Sequence, residues 1–289
     1  MTSNNDPGVP PVVGVLGGGR MGAGIAHAFL IAGSKVTVVE RDTASADAAR
    51  DRIERALGKS LERGSLKGSL NDWARNLTLS TSYADFSSCG LVVEAVPEIW
   101  DLKSAALQEI ERNLSKSAWL ATNTSSLSVD GLAEQLQRPE RFCGLHFFNP
   151  VPASKLVEVI ISKHTGDEAK TLSLKWVEGL GKTPVLVNDA PGFASSRLGV
   201  AIALEAIRMV EEGVASAGDI DKAMVLGYKF PVGPLALTDI VGLDVRLDIA
   251  EYLESSLGPR FAPPQLMRDM VANGELGRKT GQGFFTYES

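Results

Sequence analysis

Only three histidines occur in this 289-residue chain, so the imidazoles able to move a proton near neutral pH are quickly compared. His27 falls inside an amphipathic run, where a structural or partly exposed role is expected, and His164 sits in Ser162-Lys163-His164-Thr165, which reads as a surface turn. His146 lies at the carboxyl end of a strand expected over 142–147, the edge at which open parallel sheets present their ligand sites. The plain alternative is a satisfied core histidine. The proline-punctuated turn Asn149-Pro150-Val151-Pro152 can reverse the chain and return Glu158, on the next strand, to His146. A carboxylate on one ring nitrogen fixes the tautomer and raises the basicity of the other, which suits removal of an alcohol proton during hydride transfer. A buried Glu158 without such a partner would be costly. Asn123-Thr124-Ser125-Ser126 follows the strand expected over 119–122 and reaches the same sheet edge. Ser125 is the functional candidate there, whereas Ser126 or Ser128 can equally cap the helix that follows.

A second constellation opens the chain. Gly17-Gly18-Gly19-Arg20-Met21-Gly22 satisfies G-x-G-x-x-G directly after a strand and begins a helix. Gly17, Gly19 and Gly22 then serve a tight turn, the approach of a pyrophosphate and close helix packing, with the helix N-terminus facing the phosphates. Glu40 ends the following strand, where a carboxylate can accept hydrogen bonds from the adenosine ribose and favour NAD; Arg41 beside it leaves NADP open.

These residues require a parallel sheet with crossover helices to hold them. Strands are expected over 12–16, 35–40, 91–96, 119–122, 142–147, 156–161 and 184–187. A charged helical insertion is expected over 52–63 and on through residue 70, with Lys59 and Arg63 on one face. Beyond a helix over 168–180 the pattern changes: 197–212, apolar nearly all round, 219–226 and 235–257, interrupted at Gly242, read as helices. The expected architecture is an α/β, Rossmann-type doubly wound sheet over 12–188 followed by an all-helical domain over 189–289, with 1–11 a flexible tail.

A net charge of −6 argues against general nucleic-acid or anionic-membrane binding. Cys89 and Cys143 are too few for a disulfide framework or a four-thiolate zinc site, and both lie in apolar stretches expected to be buried. No basic leader with an apolar core precedes residue 12, so a cytoplasmic location is the expectation.

The glycine fingerprint, Asn123-Thr124-Ser125-Ser126 and His146-Phe147-Phe148-Asn149-Pro150 resemble the short-chain L-3-hydroxyacyl-CoA dehydrogenases. Further matches run almost end to end: Lys155-Leu156-Val157-Glu158-Val159, Ala190-Pro191-Gly192-Phe193, Asp219-Ile220-Asp221, Gly233-Pro234 and Gly277-Arg278-Lys279-Thr280-Gly281. The resemblance implies an NAD enzyme oxidising short (S)-3-hydroxyacyl-CoA substrates such as 3-hydroxybutyryl-CoA, active between its two domains and dimeric through the helical one, with no metal. It makes His146 the base, Glu158 its partner and Ser125 a donor to substrate oxygen. Arg20, Met21, Glu98, Lys103, Asn123 and Lys279 become cofactor neighbours, with Asn149, Lys59 and Arg63 near substrate and its CoA. One departure stands out: the family usually carries asparagine where this chain has Ser196, just before Arg197. A hydroxyl reaches less far than an amide, so Ser196, with Ser195 beside it, is expected to suit substrates of somewhat different shape. The rival readings are a dehydrogenase for a hydroxy acid lacking CoA or a carrier-protein thioester, and a nucleotide-binding protein without catalysis.

Overall fold

The computed structural model describes residues 8–288, which fall into two compact units divided between Asp189 and Ala190. The first unit runs β1 (Val12–Leu16), α1 (Arg20–Ile31), β2 (Lys35–Val39), α2 (Thr43–Glu62), α3 (Leu70–Ala74), β3 (Leu77–Ser80), β4 (Leu91–Glu94), α4 (Trp100–Asn113) and β5 (Trp119–Thr122). It continues with α5 (Val129–Ala133), β6 (Phe142–Phe147), β7 (Leu156–Ile161), α6 (Asp167–Gly179) and β8 (Thr183–Asn188). The strands form one sheet in the order β3-β2-β1-β4-β5-β6-β7-β8, parallel throughout except where β6 meets β7. The order reverses at β1, so the carboxyl ends of β1 and β4 flank the crevice in which such sheets take ligands. Near-continuous Val and Leu in β1, β2 and β4 match burial on both faces of a helix-covered sheet.

Several expectations are corrected. The helix expected from residue 52 begins at Thr43, where the Asp42 carboxylate accepts from the Ser45 N–H at 2.7 Å. Its first turns bury only Ala46 and Ala49, too small to signal a helical period. They are small for a reason: the Ala49 Cβ lies 2.2 Å from where a Cβ on Gly18 would stand. That helix ends at Glu62 rather than running toward residue 70, and the short edge strand β3, flanked by polar sequence, is additional. The strands expected to 40 and 96 stop at Val39 and Glu94. Residues 1–7 of the expected flexible tail lie outside the described residues. Its last residues are tied down: Val9 is buried, Ser34 Oγ donates to the Pro10 carbonyl at 2.7 Å, and the Lys35 N–H donates to Pro11 at 2.8 Å.

His27 is buried in α1, its Nε2 3.0 Å from Ser60 Oγ. Because Ser60 Oγ donates to the Ala56 carbonyl, Nε2 carries the proton, and the buried Nδ1 has no partner. Burial, helped by the charge of Lys182, lowers its pKa from 6.5 to about 4. The unfolded chain therefore takes this proton first as pH falls, and stability is lost between those values, by about 3 kcal/mol in all. Urea unfolding from pH 7 to pH 4 should show His27→Gln losing less stability than the parent by about that amount; parallel curves would contradict the assignment.

The second unit is helical: α7 (Ser195–Glu211), α8 (Ala217–Lys222), α9 (Pro234–Val241), α10 (Leu243–Leu257) and α11 (Gln265–Ala272). Val200, Leu204, Ile207, Leu235, Leu253 and Met267 form its core. The Asp221 carboxylate caps α9 by accepting from the N–H groups of Leu235 and Ala236 at 2.8 and 2.9 Å. Asp239 ties down the chain end through the N–H groups of Phe284 and Phe285. Apolar all round by sequence, α7 buries one face and leaves Leu198 and Ile202 exposed on the other.

Candidate active site

The glycine loop is shaped by contacts that only hydrogen allows. Gly17 adopts φ 89°, and a Cβ on Gly22 would stand 1.7 Å from the Gly17 carbonyl oxygen. Around Gly19 the space is open, with nothing within 4 Å of its absent Cβ. Gly19 starts α1 with no side-chain cap and no acidic residue in the first turn, so the positive helix end stands over that open side. Glu40 braces the loop: its Oε1 accepts from the Gly18 N–H at 2.6 Å and its Oε2 from the Arg41 N–H at 3.2 Å. Arg52, which carries no sequence signal, donates to the Gly18 carbonyl at 3.2 Å. A tight turn, an open approach and an unclaimed helix start fit a dinucleotide pyrophosphate. Arg20 is exposed and Met21 half-buried in the first turn of α1.

His146 and Glu158 are direct partners across the antiparallel pair of β6 and β7. Their side chains meet, Nδ1 lying 2.8 Å from Glu158 Oε2, with His146 7% and Glu158 1% exposed. Glu158 accepts, so Nδ1 carries the proton and Nε2 the lone pair. Phe148 tilts against the imidazole with ring centroids 4.5 Å apart, a contact the sequence did not announce. Asn149 is exposed and joins Pro150 by a cis peptide.

Beside this pair the loop after β5 is organised by one carboxylate. Glu98 Oε1 accepts from Thr124 Oγ1 at 2.6 Å, from the N–H groups of Ser125 and Ser126 at 2.8 Å each, and from the Ser126 hydroxyl at 3.0 Å. The Ser125 hydroxyl also donates to it, more loosely, at 3.3 Å. Burial would raise the Glu98 pKa, but the Lys103 charge and these donors outweigh it and hold the carboxyl below its ordinary range. Asn123 Oδ1 accepts from the Phe147 N–H at 2.9 Å, locking this loop to the strand end that carries His146. Ser128, not Ser126, caps α5, through the Gly131 N–H at 3.1 Å.

Lys103, expected beside the cofactor, has no exposed surface, and its Nζ lies 2.9 Å from Glu94 Oε1 and 3.3 Å from Glu98 Oε2. Its charge acts on the site by holding Glu98. Glu94, fully buried, also accepts from the Val96 N–H at 2.6 Å and from Thr122 Oγ1. Sequence reasoning passed over this centre, although one carboxylate ending the apolar run Leu91-Val92-Val93-Glu94 was the available signal. Lys59 and Arg63 are exposed on and just after α2. Lys279 and Ser196 belong to the second unit, where the Lys279 ammonium holds the Asp244 carboxylate and Ser196 lies in the first turn of α7.

The model for 3-hydroxyacyl-CoA dehydrogenase, NAD binding domain, matches residues 12–190, and that for 3-hydroxyacyl-CoA dehydrogenase, C-terminal domain, matches residues 192–287. The chain is 41% identical to a probable 3-hydroxybutyryl-CoA dehydrogenase of Deinococcus radiodurans, covering 95% of this chain and 99% of that one. It is 42% identical to a 3-hydroxybutyryl-CoA dehydrogenase of Mycobacterium tuberculosis, covering 95% and 98%. The crystal structure of (S)-3-hydroxybutyryl-CoA dehydrogenase from Ralstonia eutropha superimposes with a TM-score of 0.92 at 38% identity, covering 97% of this chain and all of that one.

Proposed function

The chain belongs to the 3-hydroxyacyl-CoA dehydrogenase family, and from that premise we propose that His146 and Glu158 carry an NAD-dependent interconversion of short (S)-3-hydroxyacyl-CoA and 3-oxoacyl-CoA. The observation that carries the reading is the 2.8 Å pair of His146 and Glu158 at the same carboxyl edge of the sheet as the glycine loop. When bound, NAD supplies the hydride acceptor, taking two electrons and one hydrogen from the alcohol carbon. In the oxidation His146 Nε2 takes the hydroxyl proton, and Glu158 stabilises the imidazolium that results. In the reduction the same nitrogen returns the proton to the ketone oxygen. Ser125 donates to that oxygen, Ser196 and Asn149 serve the substrate, and exposed Lys59 and Arg63 meet the CoA phosphates.

Gly17, Gly19 and Gly22 admit the pyrophosphate, and Glu40 faces the adenosine ribose, where its charge disfavours a 2′-phosphate. Arg41 turns to Asp42, at 3.1 Å, which supports NAD over NADP. Leu198, Ile202, Leu237, Ile240 and Val245, exposed on α7, α9 and α10, support a homodimer through the helical unit. No helix among the described residues is long and apolar enough to cross a membrane. A cytoplasmic setting in acyl-CoA metabolism suits the two free, buried thiols, which burial pushes up to about 12. The test is NADH consumption, by absorbance, with acetoacetyl-CoA set against free acetoacetate and a carrier-protein thioester. Turnover confined to the CoA ester is the expected result; turnover confined to either rival, or to NADPH, would replace this reading.

A further inference from the structure

The turn that returns Glu158 to His146 is held in place by a lysine from outside it. Because β7 runs antiparallel to β6 and β8 runs with β7, β8 starts at the sheet edge where β6 ends. Lys182 immediately precedes β8. Its Nζ donates to the Val151 carbonyl at 2.7 Å and to the Ser154 carbonyl, both in the turn between β6 and β7, 31 and 28 residues earlier in the chain. The base of this side chain is fixed. Gly181, at φ 68°, turns the chain out of α6, and the Lys182 N–H donates to the Val177 carbonyl at 3.1 Å. The end of α6 is partially negative, which favours a cation just beyond it.

The ammonium is half-buried among neutral partners. Burial lowers its pKa with no carboxylate to offset it, and no ion pair among the described residues includes it. A cation so placed is costly to desolvate, and the two carbonyls compensate by accepting from donors that rotate to meet them both. Its charge also acts on His27 of α1, helping to lower that pKa. The same helix seats the turn from the other side: Val151 is 2% exposed, and its Cβ lies 2.8 Å from where a Cβ on Gly24 would stand, so the bare backbone of Gly24 is its socket. Between His146 and these pinned residues stand Phe148, whose ring tilts against the imidazole with centroids 4.5 Å apart, and Asn149.

Resting on the reading of His146 as the acid/base, we propose that Lys182 is a positioning residue for it: by clamping the carbonyls of Val151 and Ser154 it keeps Phe148 against the imidazole and Nε2 aimed at the substrate oxygen. Lys182 acts through the turn and on no reacting atom. Without the clamp the turn shifts and the imidazole loses the ring that fixes its tilt, whereas the contact with Glu158, set by the register of β6 and β7, persists. A displacement of about 1 Å at a reacting group can cost about 10²-fold in rate.

The test is a single turnover of enzyme-bound NADH with acetoacetyl-CoA, followed by stopped flow. Its amplitude counts competent enzyme, and its rate constant reports how well each molecule is arranged. Lys182→Met, which keeps the apolar stem, should lower the rate constant by about thirtyfold with amplitude and NADH affinity retained. Lys182→Arg, which still offers N–H donors to both carbonyls, should recover most of that rate. An unchanged rate constant in Lys182→Met, whether or not the amplitude falls, would leave Lys182 a structural residue only and overturn the inference. Equal slowing in Lys182→Met and Lys182→Arg would assign the loss to repacking of the turn and overturn it as well. An undiminished rate constant in His146→Gln would instead overturn the acid/base reading on which the inference rests.

Discussion

Replacing His146 with glutamine is expected to lower turnover of acetoacetyl-CoA by about 10³–10⁴-fold, the upper part of what a positioned acid or base contributes, while NADH affinity is retained. Glutamine fills similar space and can still hydrogen-bond Glu158, 2.8 Å from the present Nδ1, but it neither takes nor gives a proton near neutral pH. The glycine loop proposed to hold the cofactor lies after β1, and none of its described hydrogen bonds uses His146. Glu158→Gln is the companion. It keeps a side chain of the same length in the cross-strand position but removes the charge that stabilises the imidazolium, so a smaller loss, on the order of 10²-fold, should appear mainly in kcat. Stopped-flow reduction and NADH fluorescence titration separate the two effects. Substantial turnover by His146→Gln would remove the imidazole from the mechanism.

The second large effect separates the shape of the glycine loop from its contact with the cofactor. Gly22→Ala places a methyl 1.7 Å from the Gly17 carbonyl oxygen, a backbone atom that cannot swing aside. The loop must shift, at about 3 kcal/mol of stability, and NADH binding should fall with it. Gly19→Ala is the opposite case: its methyl meets nothing within 4 Å, and Gly19 has an ordinary φ of −62°. Stability should hold, yet the added methyl stands on the open side where the pyrophosphate approaches, so NADH affinity should weaken by about tenfold or more. Thermal melts with and without NADH measure both quantities. Unchanged affinity in Gly19→Ala would move the pyrophosphate away from this loop.

The carboxylates give these sites their rigidity in different ways. Glu40 and Glu98 each gather backbone N–H groups, so each fixes a loop rather than a single side chain. Glu94 and Lys103 neutralise each other behind Glu98, which lets a charged residue sit at the crevice without paying twice for desolvation. The arrangement is a chain of supports running from the strand ends to Ser125 and Ser126.

Much of this was legible one residue at a time. The spacing of Gly17, Gly19 and Gly22, the strand-end position of His146 and the break at Gly242 are local signals, because the φ a turn demands and the period of a buried face act over a few neighbouring residues. The early turns of α2 escaped because Ala46 and Ala49 bury a face without a strong apolar period. Partnerships were another matter. Glu158 could return to His146, but only the antiparallel register of β6 and β7 puts them opposite each other, since a slip of one residue would send one side chain to the other face. That Lys103 is a buried counter-ion to Glu94 and Glu98 likewise appears only in the folded chain. Lys182 carried no signal of its own until the start of β8 set it beside the turn after β6. The sequence by itself determined the two-part architecture, the glycine loop after the first strand and the strand-end position of His146. Which charges meet and which are left without a partner was decided only by tertiary structure, because electrostatic pairing depends on distances between residues far apart in the chain, and no local pattern encodes those.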